Sequence, residues 1–124
     1  MIGSLNCIVI DCPDPRELAT FYEKLLGLAR VEDGDDWVTL GDADQPPRVA
    51  LQRTPSFMRP DWQTSTVPQQ MHLDVLVENL DVAQSAVLGL GATLLDGSDK
   101  PIGFRVYADP VGHPFCLVTP EGLG

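Results

Sequence analysis

The 124-residue sequence predicts an α+β domain built from two βαβββ modules. Three observations carry that expectation. Residues 5–28 and 70–92 run in the same order: an apolar strand, a capping residue, an amphipathic run and a glycine. Aligning Cys7 on His72 sets Asp14 on Asn79, and Gly27 then falls within one residue of Gly91. Each copy is followed by short apolar runs separated by Gly, Asp and Pro turns. Two half-size units repeated in one chain are expected to share a core. Their helices would cover one face of each sheet and leave the other faces to enclose a groove. The expected organisation is a single domain, 1–124, with module 1 at 1–53, a linker at 54–69 and module 2 at 70–124.

Residues 4–10 contain Ile8, Val9 and Ile10 and suit a buried strand, which Cys12-Pro13-Asp14-Pro15 ends. Asp14 is placed to cap a helix, Pro15 suits its first position, and Glu17 stands where a capping-box acid belongs. Leu18, Phe21, Tyr22, Leu25 and Leu26 then recur at helical spacing, leaving Arg16, Glu23 and Lys24 for solvent. Gly27 supplies a left-handed C-cap. Strands near 28–32 and 36–41 follow, joined through Asp33-Gly34-Asp35, which has tight-turn chemistry. After a turn at 41–47, residues 48–54 make a fourth strand. The linker is rich in Pro, Ser, Thr and Gln, yet carries Phe57, Met58 and Trp62.

In the second module residues 70–77 read as a strand. Asn79 caps a helix with the apolar stripe Val82, Ala83, Ala86, Val87 and Leu90. Strands are expected at 92–96, 104–108 and 114–119, with Asp109-Pro110-Val111-Gly112 as the last turn.

Bulk properties exclude several partner classes. The chain has 8 basic and 18 acidic side chains, a net charge of −10, which argues against nucleic acid and anionic membrane surfaces. No apolar run approaches the ~20 residues needed to span a bilayer. The N-terminal stretch lacks the basic and apolar regions of a signal peptide. Three cysteines at irregular spacing do not form a disulfide framework. The expected compartment is the cytoplasm.

The paired modules, the segment Phe21-Tyr22-Glu23-Lys24-Leu25-Leu26-Gly27-Leu28 and the tail Asp109-Pro110-Val111-Gly112-His113-Pro114-Phe115 resemble the vicinal oxygen chelate superfamily. This superfamily includes glyoxalase I, extradiol dioxygenases and bleomycin-resistance proteins, and the likeness is greatest to its small glyoxalase-like members. The resemblance implies an open barrel with a central cup, a homodimer and a small organic ligand. In metal-dependent members His, Gln or Glu from the first and last strands of each module hold a divalent ion. Carried over residue by residue, those positions are Cys7, one of Ala50, Leu51 or Gln52, then His72 and Cys116, where such relatives usually have Glu. None is a carboxylate, so a hard ion such as Mg or Mn is disfavoured and no cofactor is expected. Cys7, His72 and Cys116 form a candidate soft site for zinc, set against two cysteines acting as small buried hydrophobes.

Alternation puts His72, Asp74 and Leu76 on one strand face and Leu73, Val75 and Val77 on the other. The apolar set should pack under the helix and turn His72 and Asp74 toward the cup. Asp74 can then orient His72 as a general base, or simply bind backbone or arginine groups beside a neutral imidazole. Trp37, Phe57, Trp62 and Tyr107 are candidates for stacking on a flat ligand, with core packing the alternative for Trp37 and Tyr107. His113 belongs to turn geometry, and Glu32, Asp33, Asp35 and Asp36 to a solvated hairpin tip.

Three functions follow. The first is a metal-free protein that binds an antibiotic or aromatic metabolite through Cys7, Trp37, Gln52, Phe57, Trp62, His72, Tyr107 and Cys116. The second is a lyase, isomerase or oxygenase using an atypical metal or His72. The third is an accessory module for another protein.

Overall fold

The computed structural model describes residues 1–60, 71–97 and 103–123. The chain separates into two compact units, residues 1–57 and 58–124. Each is a four-stranded mixed sheet with one helix, so the chain is α+β with two βαβββ modules. No helix among the described residues is long and apolar enough to cross a membrane.

The first unit runs β1 (Cys7–Cys12), α1 (Pro15–Leu26), β2 (Arg30–Asp33), β3 (Trp37–Leu40) and β4 (Arg48–Arg53), with strand order β1-β4-β3-β2. The helix begins as its sequence dictates. The Glu17 amide donates to Asp14 Oδ1 at 3.4 Å, Pro15 opens the helix, and Gly27 closes it at φ 66°. Leu18, Phe21 and Tyr22 are buried against the helix-side face of the sheet, with Val38, Leu40 and Leu51. Strand β1 starts three residues later than position 4, because its parallel ladder with β4 begins at Cys7↔Arg48.

The second unit runs β5 (Leu73–Leu76), α2 (Leu80–Gly89), β6 (Thr93–Asp96), β7 (Phe104–Ala108) and β8 (Pro114–Val118), then a 3₁₀ turn at Pro120–Leu123. The sheet order, β5-β8-β7-β6, repeats that of the first unit. Asn79 caps α2 by accepting the Val82 amide at 3.0 Å. The expected stripe on α2 is corrected: Val87 is buried, but Val82 is 68% exposed and Ala86 is exposed. Gln84 takes the sheet-facing place, because the sheet beneath offers polar partners. Its Oε1 accepts from the Tyr107 hydroxyl at 2.8 Å and from Arg105 at 3.2 Å.

The 109–113 turn is held by a buried carboxylate. Asp109 Oδ1 accepts the amides of Val111, Gly112 and His113 at 2.9, 2.8 and 3.0 Å. Gly112 is required there: φ is 106°, and a Cβ would sit 2.3 Å from Arg59 Cγ. His113 supports the turn through its backbone, as its motif position implied.

Candidate functional site

Strand register decides which side chains share a face. In the first unit the parallel pairing Val9↔Ala50 and the antiparallel pairings Thr39↔Ala50, Trp37↔Gln52 and Glu32↔Thr39 put these residues on the face away from α1. Cys7 and Arg48 lie there too. Three of the expected ligand-contacting residues, Cys7, Trp37 and Gln52, therefore share one helix-free face.

On that face a hydrogen-bond chain fixes the indole. Trp37 Nε1–H donates to Thr39 Oγ1 at 2.7 Å, and the Thr39 hydroxyl donates to Glu32 Oε1 at 2.7 Å. Thr39 is buried while Trp37 stays 37% exposed, so the ring is held by one edge and can still be contacted. Glu32, Asp33, Gly34 and Trp37 line an open depression of about 600 Å³. Burial pushes the Cys7 thiol above its ordinary range, with Glu32 adding to the rise and Arg48 opposing it.

The acidic hairpin resolves into two groups. Asp33 pairs with Arg16 and Arg30, Asp35 with Arg16, and Asp36 with Arg53, at 2.6 to 3.2 Å. Hydrogen bonds from Arg30 first, and then Arg16, lower the Asp33 carboxyl. Glu32 is different, since it bonds Thr39 on the helix-free face. The sequence reading missed Glu32 and Thr39 as site residues. The signal lies in a β-bulge between Arg30 and Glu32, which breaks strict alternation along β2.

In the second unit β5 and β8 pair in parallel, with Asp74↔Cys116 and Leu76↔Val118. His72 Nε2 lies 3.3 Å from Asp74 Oδ1, with side chains 38% and 54% exposed. Cys116 is buried beside Val106 and Val118, against the half-buried Leu95 and Phe104. One ligand atom each from His72, Asp74 and Cys116 lies within 4.8 Å of the others. The Cys116 thiol is pushed up to about 11, first by burial and then by the charge and hydrogen bonding of Asp74. A thiol in that state is a proton donor to the carboxylate and a poor nucleophile at neutral pH.

Tyr107 is corrected as a ligand-contacting residue. It pairs with Phe115 across β7 and β8, stacks on that ring at 5.5 Å, and is fully buried under α2. Burial raises its hydroxyl pKa, opposed by a hydrogen bond from Arg105. Phe57 is half-buried at the end of the first unit, beyond β4. Trp62 lies outside the described residues.

The register also singles out one of the three fourth-strand positions. Cys116 is the partner of Asp74, and Ala50 is the partner of Val9, two residues after Cys7 as Asp74 is after His72. Ala50 thus stands where Cys116 stands, and Gln52 lies two residues along the same face. The first unit offers a thiol and a methyl group at the corresponding positions. The second offers an imidazole and a thiol. Neither pair suits a hard, oxygen-preferring ion.

A glyoxalase-like domain family matches residues 7–118. The chain belongs to that family. No curated protein matches this glyoxalase-like chain. Among solved structures it is similar to a glyoxalase/bleomycin resistance protein/dioxygenase family enzyme from Burkholderia phytofirmans PsJN. That pair is 15% identical, covers 94% of this chain and 98% of the other, and has a TM-score of 0.73. The genomically encoded fosfomycin resistance protein FosX of Listeria monocytogenes is 14% identical, with 96% and 94% covered and a TM-score of 0.71. The bleomycin-binding protein of Streptomyces verticillus, solved with copper(II)-bleomycin, is 16% identical, with 96% and 98% covered and a TM-score of 0.58. At these identities the likeness establishes the fold alone.

Proposed function

We propose that this glyoxalase-like chain binds a flat organic molecule, an antibiotic or aromatic metabolite, and releases it unchanged without a hard divalent ion. The observation that carries this reading is the Trp37–Thr39–Glu32 chain. An exposed indole fixed by its N–H contributes contact area at little cost in conformational entropy. Glu32 beside it favours a ligand carrying a hydrogen-bond donor or a positive charge. Gln52, the lateral partner of Trp37, adds an amide to the same face. Similarity to bleomycin-binding and fosfomycin-resistance proteins supports a small-molecule ligand. A cytoplasmic homodimer is part of the proposal.

The test is a thermal-shift panel of aromatic antibiotics, bleomycin first, and aromatic acids on chelator-treated protein. A ligand that binds only the native state raises Tm with concentration. The expected result is a shift that Trp37→Ala abolishes, with the compound recovered intact. Recovery of a transformed compound would contradict sequestration.

One observation favours a second reading. The 3.3 Å pairing of His72 with Asp74 orients an exposed imidazole for general-base work, which suits a lyase or isomerase. Turnover of a panel compound, lost in His72→Ala with binding retained, would select it.

A further inference from the structure

We propose that Arg53 is a positioning residue for Trp37: its guanidinium ties the 33–36 hairpin tip to the entry of α1 and so sets where the exposed indole stands. This role deepens the small-molecule reading and rests on it, because Trp37 is the ring that reading assigns to the ligand.

The indole needs two anchors. On the helix-free face its N–H donates to Thr39 Oγ1, which fixes one edge of the ring against its own strand. That bond leaves open where the start of the strand itself is held. Trp37 is the first residue of β3, and its carbonyl accepts the Gly34 amide at 2.9 Å across the tip. The tip carries Asp33, Asp35 and Asp36, whose like charges repel one another unless cations bridge them. The position of Trp37 therefore depends on what holds the tip.

Arg53 ends β4, one residue beyond Gln52, the lateral partner of Trp37. Alternation carries its side chain to the opposite face from Gln52. There Nη2 donates to the Asp35 carbonyl at 2.9 Å, and Nε reaches the same carbonyl at 3.2 Å and Asp36 Oδ1 at 3.1 Å. Nη1 donates to the Pro13 carbonyl at 2.9 Å, in the step between β1 and α1. The Arg53 amide adds a bond to the Asp36 carbonyl at 2.9 Å. Most of the guanidinium's contacts thus end on backbone carbonyls, so they set distance and direction as well as neutralising charge. A planar fork can meet such a set, whereas a lysine ammonium is a point charge on a flexible stem.

Arg16 makes the contrasting kind of contact. It pairs with Asp33 Oδ1 at 3.2 Å and Asp35 Oδ1 at 2.6 Å, all three side chains being exposed. Its contact with the Asp33 carbonyl is longer, at 3.4 Å. Ion pairs between exposed side chains contribute little and leave the backbone free to shift. Direction falls to Arg53.

The test is amide hydrogen exchange and acrylamide quenching on the Trp62→Phe chain, in which Trp37 is the only tryptophan, with no compound added. Arg53→Lys is expected to lower protection of the Gly34 amide by at least about tenfold, the equivalent of one charge-assisted hydrogen bond. It should also raise quenching of Trp37 emission, while the Phe21 and Tyr22 amides of α1 keep their protection. Arg53→Met should match Arg53→Lys, because retained charge does not replace the fork. Arg16→Met should lower Gly34 protection less than either. Unchanged Gly34 protection and quenching in Arg53→Lys would overturn the role. So would an equal loss of protection along α1, or an Arg16→Met effect as large as that of Arg53→Lys. Both readouts are taken without a bound compound, so the positioning role and the small-molecule reading can fail separately.

Discussion

The two units share a backbone plan but supply their core volume from opposite layers. In the first, the helix brings the rings: Phe21 and Tyr22 meet edge-on at 5.1 Å above aliphatic strands. In the second, the sheet brings them: Tyr107 stacks on Phe115 at 5.5 Å, and α2 contributes Val87, Ala83 and Gln84. A bulky helix needs a wholly apolar stripe, and α1 has one. A helix lying over a sheet that carries Tyr107 and Arg105 needs a polar residue in its stripe, and Gln84 fills that place. The helix-free faces diverge likewise, since Val9 and Ala50 occupy the register positions where the second unit has Asp74 and Cys116. The duplication therefore preserved strand order, helix N-caps and register while the side-chain chemistry was free to differ.

The largest expected effect tests where the second core lies. Phe115→Ala removes a fully buried ring and should cost about 3–5 kcal/mol by denaturant unfolding. Val82→Ala, on the solvent side of α2, should stay within about 0.5 kcal/mol. Equal losses from the two would mean that α2 packs by its sequence stripe after all.

Next come the features the units have in common. Asp14→Ala and Asn79→Ala each remove a side-chain acceptor from a helix N-terminus, and each should cost about 1 kcal/mol. Similar values by thermal or chemical unfolding would show that the scaffold is balanced. A large disparity would show that one helix relies on its cap far more than the other.

A pH dependence is also expected, to which Cys116 of the second unit contributes. The folded chain holds the Cys116 proton up to about 11, above the ordinary thiol value of 9.0. Since the folded pKa is raised, this contribution to stability is complete below pH 9 and is lost as pH rises toward about 11. Tm should decline across that window, and Cys116→Ala should remove this component of the decline. An unchanged decline would assign it to other groups.

How much was legible beforehand follows the same contrast. Asp14, Gly27 and Asn79 announced their roles because capping is local chemistry. The pairing of His72 with Asp74 was legible because alternation alone puts them on one face. Three features were not. Tyr107 stood open between ligand stacking and core packing, and its side of the strand meets Gln84 and Asp81 on the helix. Glu32 was hidden by a bulge, and the choice of Ala50 depended on a parallel pairing between strands some forty residues apart. Each omission required knowing what lay across from a residue, which spacing along the chain does not specify.

The central claim is that the Trp37 face takes an organic ligand without a hard metal. The most direct measurement uses a Trp62→Phe chain, in which Trp37 is the only tryptophan. After chelator treatment, the compound that gives the largest thermal shift is titrated while Trp37 emission is followed. The account predicts a saturable emission change, with Kd unaltered by added magnesium or manganese. Binding with no change in Trp37 emission, or binding that appears only after such an ion is added, would contradict it.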